Sequence, residues 1–239
     1  MSQITTLKIG GPAKEFVAVK IEDQLIETIR SAKKDGQDFL VIGGGSNLLV
    51  SDEGIDKLVI KNEVSGITLH IPNRSHLRGG NQLDSRGHLG GGQNEGGEIT
   101  VKSGTPLQAL VDFAIKNGLS GLQKLTGIPG TVGGAVFGNA AAYGQTISEQ
   151  ITQLVILNPS EATPEEGEGR VKNLTKDECE FAYRDSGFKR NGFIILEVTF
   201  QLPSADPKEL EKEAKEILQK RLAKYNPGIL CPGSFFKNR

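Results

Sequence analysis

Arg184 is the side chain best suited to meet a developing negative charge. It stands in the tetrapeptide Tyr183-Arg184-Asp185-Ser186. A guanidinium is planar and permanently charged, so it can grip an enolate or carboxylate through paired hydrogen bonds. The competing reading is a surface ion pair with Asp185. Ser234 follows Gly233 and precedes Phe235 and Phe236. A hydroxyl held in a partly dry pocket between a turn and bulky apolar residues can donate a proton if its acidity is shifted. A plain turn serine fits the same pattern. His70, His76 and His88 lie in or beside one polar stretch without a Gly-x-Ser-x-Gly motif, so no Ser-His-Asp set is indicated. No Cys, Asp or Glu cluster accompanies them, and no metal site is read.

The residues that could hold a ligand are mostly glycines. Residues 126–144 contain six of them, and nearly every other side chain there is small. Glycine loses more conformational freedom on folding than any other residue, so this density needs a reason. Bare backbone with free N–H groups is a natural anion site and lets a large planar ligand lie close. A second cluster, Gly43-Gly44-Gly45-Ser46-Asn47, points to one ligand held between two loops. The alternative for either cluster is a tight turn entering a closely packed helix. A Rossmann dinucleotide fold needs its glycines between a strand and a long helix. Here a short apolar run, Leu48-Leu49-Val50, and a turn at Ser51-Asp52-Glu53-Gly54 follow instead.

Elements that position these groups are visible as hydrophobic periodicity. Residues 16–20, 39–42, 58–60, 99–102, 153–157 and 192–200 read as strands. Leu25, Ile26, Ile29 and Ala32 mark one helical face, which Gly36 ends. Leu107, Leu110, Val111 and Ala114 mark a second, preceded by a capping-box pattern from Thr105 to Gln108 with Pro106 between. Leu210, Ala214, Ile217, Leu218 and Leu222 give a third, capped by Asp206 on a heavily charged helix. Residues 72–97 are polar and glycine-rich. They read as a mobile, exposed insertion joining two strands. An acidic turn is read over residues 159–169.

Composition narrows the function. The chain has 239 residues, enough for one large or two modest domains, and a net charge of −1. That charge gives no electrostatic case for nucleic acid or an anionic membrane. Tryptophan is absent and aromatics are few, which argues against a base-stacking platform for single strands. No apolar run approaches the roughly 20 residues of a membrane span. Two cysteines, Cys179 and Cys231, show no disulfide or metal spacing, and the first residues show no signal-peptide pattern. A reduced, cytoplasmic setting is expected.

Six motifs occur in order: 6–13 (TLKIGGPA), 41–49 (VIGGGSNLL), 127–135 (GIPGTVGGA), 139–144 (NAAAYG), 183–186 (YRDS) and 233–238 (GSFFKN). Together they resemble the UDP-N-acetylenolpyruvoylglucosamine reductase (MurB) family of peptidoglycan synthesis, of the shorter type. The resemblance covers nearly the whole chain outside 72–97.

It implies an α+β fold: an FAD-binding domain of the PCMH or vanillyl-alcohol-oxidase type, in two subdomains (1–62 and 63–203), then the beginning of a substrate-binding domain (204–239). It implies a bound FAD, NADPH as co-substrate, a UDP-sugar substrate and a monomer. By matching motif, Arg184 stabilises an enolate-like intermediate and Ser234 donates a proton, while Lys237 and Asn238 bind the nucleotide-sugar. The flavin is held by Ile42, Gly43, Gly44, Gly45, Ser46, Asn47 and Leu48, and by Gly127, Ile128, Pro129, Gly130, Thr131, Gly133, Gly134, Asn139, Ala140 and Tyr143. Three departures stand out. The 72–97 insertion is longer than the family shows, the last motif reads Asn238-Arg239 where the family continues Asn-Pro, and no residue matches the family's late glutamate. A C-terminally truncated chain is therefore expected, better at flavin reduction than at substrate reduction. The rival readings are a non-catalytic flavin-binding fragment and another flavin oxidoreductase of the same fold.

Overall fold

The computed structural model describes residues 1–70, 96–161, 170–224 and 230–233. In chain order the elements are β1 (Ala13–Val19), α1 (Glu22–Lys34), β2 (Phe39–Ile42), β3 (Ile55–Asn62), β4 (Ile67–His70), β5 (Gly97–Lys102), α2 (Leu107–Lys116), α3 (Val132–Phe137), β6 (Ala141–Ala142), β7 (Gln145–Thr146), β8 (Ile151–Asn158), β9 (Arg170–Thr175), α4 (Phe188–Asn191), β10 (Ile194–Leu202) and α5 (Pro207–Lys224).

They build an α+β fold on two main sheets. The first is a parallel sheet of order β1-β3-β2, and the second is an antiparallel sheet of order β4-β5-β10-β8-β9. Helix α1 covers the first sheet, burying Leu25, Ile29 and Ala32 against Val19, Leu58 and Ile60. Leu157 of β8 and Leu196 of β10 join that same cluster, so one apolar contact ties the two sheets together. Helices α2 and α3 lie on the second sheet, where Leu107, Leu110, Val111 and Val136 pack with Ile99, Leu154, Val198 and Phe200. Each such side chain contributes roughly 1.5–3 kcal/mol by leaving water.

Polar groups reinforce the junction. Lys102 of β5 reaches Glu22 of α1 at 2.9 Å and Glu197 of β10 at 2.7 Å. Asn62, at the end of β3, donates to Ser103 Oγ at 2.8 Å, with both side chains buried.

Two local expectations change. The capping box of α2 does not form. Pro106 occupies the cap position, and the buried Thr105 hydroxyl instead bonds the backbone N–H and carbonyl of Gly66. Gln108 is drawn away as well, to the Gly127 N–H and to Asp112. Residues 72–95 of the expected insertion, and 162–169 of the acidic turn, lie outside the described residues. The strands on either side of the insertion do pair antiparallel, His70 opposite Glu98. Gly97, counted with the insertion in the sequence, opens β5 and is buried beside Leu119 and Leu69.

Candidate functional site

The glycine-rich loops meet. Strand β2 delivers Gly43 to Leu48 off its C-terminal end, and the approach to α3 brings residues 127–131 against them. Gly44 would place a Cβ 3.1 Å from the Gly130 Cα, and a Cβ on Gly43 would collide with the Thr131 side chain. Gly130 has φ +116° and sits under Ser46, whose hydroxyl donates to the Pro129 carbonyl at 3.1 Å. Part of the glycine content therefore serves loop-on-loop packing. Gly133 is of this kind too, since its Cβ position is 2.8 Å from Ser103 Cβ. Gly134 is different: it is exposed, and a Cβ there would meet only Thr131 Oγ1 at 3.4 Å. Thr131 caps α3 through that same oxygen, which accepts from the Gly134 N–H. Among the described residues, the N–H groups of Gly43, Gly44, Gly45 and Ser46 donate to no backbone carbonyl. Successive free N–H groups of this kind suit a diphosphate.

Beyond α3 the chain is stitched to the Tyr183-Arg184-Asp185-Ser186 loop by three side-chain bonds to backbone carbonyls. Ser186 Oγ donates to Phe137 O at 2.7 Å, Asn139 Nδ2 to Ala182 O at 2.8 Å, and an Arg184 terminal nitrogen to Ala141 O at 3.1 Å. Asn139 and Arg184 both hold left-handed backbone, at φ +43° and +54°. Such backbone is uncommon outside glycine and persists where the surroundings fix it. Each also leaves one buried polar atom without a partner among the described residues: Asn139 Oδ1, an acceptor, and Arg184 Nε, a donor. Buried polar groups are normally paired, so this pair marks a place where a ligand would complete the bonding.

The ion pair between Arg184 and Asp185 is absent. Asp185 accepts from Arg190 at 3.2 Å and lies 3.8 Å from Lys189, while Arg184 turns toward the glycine run. Tyr143, half-exposed at the end of that run, stacks under Arg221 of α5. At the other end of the site Asn47 Nδ2 donates to Pro232 O at 2.7 Å, which sets Gly233 beside the first glycine loop. Ser234, Lys237 and Asn238 lie outside the described residues. Arg221 and Leu218 are the site-facing residues that sequence reading missed, because they look like ordinary members of a charged helix.

An FAD fits what is present. Free N–H groups in the first loop suit its diphosphate, Gly134 and Gly144 leave open space, and Asn139 and Arg184 offer one acceptor and one donor.

Residues 13–163 match the model of an FAD binding domain. The chain is 36% identical over 239 residues to UDP-N-acetylenolpyruvoylglucosamine reductase of Solibacter usitatus (strain Ellin6076), covering all of this chain and 66% of that protein. It is 36% identical to the reductase of Pelobacter propionicus, of which it covers 70%. It superposes on the crystal structure of UDP-N-acetylenolpyruvylglucosamine reductase (MurB) from Thermus caldophilus with a TM-score of 0.70 at 27% identity, covering all of this chain and 73% of that one. Fold and site thus define a flavoprotein domain of the PCMH type. Within that class the chain belongs to the UDP-N-acetylenolpyruvoylglucosamine reductase family. It spans about two thirds of the length of these curated relatives.

Proposed function

We propose that the chain carries out FAD-dependent, NADPH-consuming reduction of UDP-N-acetylglucosamine enolpyruvate to UDP-N-acetylmuramate, for cytoplasmic peptidoglycan synthesis. The observation that carries this reading is Arg184: a cation turned from its neighbouring carboxylate toward the glycine run, with Nε buried and unpaired among the described residues.

Bound FAD would supply the hydride chemistry, from NADPH to the enolpyruvyl double bond. Gly43 to Leu48 and Gly127 to Gly134 would hold its diphosphate and ring, with Ile42, Asn139, Ala140 and Tyr143 beside them. Arg184 would face the substrate's carboxylate. Negative charge grows there as the double bond is reduced, and a fixed guanidinium stabilises it without reorganising. Ser234 would donate the proton to the neighbouring carbon. Its preceding residue, Gly233, beside Asn47, supports that assignment. Lys237 and Asn238 would bind the nucleotide-sugar. The chain would divide into flavin subdomains at 1–62 and 63–203 and a substrate-binding segment from 204.

The test is anaerobic stopped-flow spectroscopy of the FAD-loaded chain. NADPH should bleach the flavin band. Substituting Arg184 by Met should leave that phase intact and slow flavin reoxidation by the enolpyruvyl nucleotide-sugar by about 100-fold or more, as for loss of one electrostatic stabiliser. Equal reoxidation rates in the two proteins would contradict the role given to Arg184.

A further inference from the structure

We infer that Arg221 and Tyr143 form a stacking platform for a planar heteroaromatic ring, which makes α5 a wall of the candidate site. This rests on the nucleotide-binding reading above.

The Arg221 guanidinium carbon lies 5.3 Å from the centre of the Tyr143 ring, within cation–π range. The same helix presses on the glycine run. A Cβ at Gly127 would be 3.0 Å from Arg221 Cδ and 3.2 Å from Leu218 Cδ1. Arg221 Nε is buried and has no hydrogen-bond partner among the described residues. The arginine is therefore placed by packing and by the ring, with no carboxylate paired to it among those residues.

Tyr143 itself holds left-handed backbone, φ +52°. A tyrosine keeps that conformation only when its surroundings support it, and Arg221, 78 positions along the chain, is such a support. With the cation beside it, Tyr143 as a residue is still 43% exposed. Two stacked aromatic faces normally repel because both are negative. A guanidinium against one face withdraws that charge and lets a second ring lie flat on the other. Gly144, with nothing within 4 Å of its Cβ position, leaves space next to it. Two rings share this chemistry: the isoalloxazine of a flavin and the uracil of a uridine nucleotide.

Calorimetric titration with FAD and, separately, with UDP tests the inference in wild type, Tyr143→Leu, Tyr143→Phe and Arg221→Met. Tyr143→Leu should weaken one ligand by about 5- to 150-fold. Arg221→Met should weaken the same ligand by about 2- to 5-fold. Tyr143→Phe should retain the affinity that leucine loses. The ligand affected identifies the ring. Intrinsic emission adds an independent readout: the chain has no tryptophan and three tyrosines, so that ligand should quench wild type more than Tyr143→Phe/Arg221→Met. Unchanged constants for both ligands in Tyr143→Leu and Arg221→Met overturn this inference alone. So does equal weakening of both ligands with a lowered unfolding midpoint, which would make the pair structural. Wild-type protein that takes up neither ligand overturns it together with the proposed function.

Discussion

Gly133 and Gly134 are neighbours in α3, yet substituting them should give opposite results. At Gly133 a new Cβ would lie 2.8 Å from Ser103 Cβ and 3.0 Å from the Ser103 carbonyl oxygen. One of those atoms is backbone of the β5–α2 connection, so it yields little. Gly133→Ala should cost about 1–3 kcal/mol by overpacking. At Gly134 the nearest atom is Thr131 Oγ1 at 3.4 Å, an ordinary contact. Gly134→Ala should leave the flavin-free fold unharmed, or stabilise it by about 0.5–1 kcal/mol through helix propensity. Gly134→Val should still fold, but its branched side chain would enter the space given to the cofactor. The same overpacking cost of about 1–3 kcal/mol, now charged to the complex, weakens FAD by about 5- to 150-fold. Thermal unfolding followed by circular dichroism, without flavin, reads the first effect, and FAD titration reads the second. Wild-type flavin affinity in Gly134→Val would refute the reasoning, as would a Gly133→Ala variant as stable as wild type.

Lys102 offers a pH test. Burial lowers its pKa, but hydrogen bonds to Glu197 and Glu22 outweigh burial and hold it above the ordinary lysine value. A raised folded-state pKa contributes stability that is complete below about 10.4 and is lost as pH rises through the folded value. Lys102→Met should therefore cost about 1–3 kcal/mol at neutral pH, as for a lost charged hydrogen-bond partner. Its stability should converge on that of wild type only once the pH has risen past the folded-state value of Lys102. Cys179 is buried, donates to the Thr175 carbonyl, and has its thiol pushed up to about 12 by burial and by Glu178. A thiol-specific reagent at mildly alkaline pH should modify Cys231 in the native protein and reach Cys179 only after denaturant is added.

Periodicity carried the scaffold well. Leu107, Leu110, Val111 and Ala114 are all buried, because an amphipathic helix writes its inward face into local spacing. The same logic overreached on α5, where Leu210, Ala214 and Ile217 are buried but Leu218 and Leu222 are 40% and 55% exposed. That helix end borders the site rather than the core. The two glycine clusters were legible as candidate ligand loops, but sequence could not separate packing glycines from open ones. Gly43 abuts Thr131 and Gly133 abuts Ser103, partners set by tertiary structure. Thr105 has the right neighbours for a cap, yet Gly66 claims its hydroxyl. Arg184 and Asp185 are adjacent in sequence but turn to different partners, since the left-handed backbone at Arg184 sends its side chain to Ala141. No local rule could have singled out Arg221, whose meaning comes from Tyr143.

The most direct test of the whole account is the visible absorption spectrum of the purified chain, before and after adding FAD and after acid precipitation. A flavin band that acid releases into the supernatant is expected, since no covalent link is proposed. Protein that is colourless and fails to take up added FAD would contradict it.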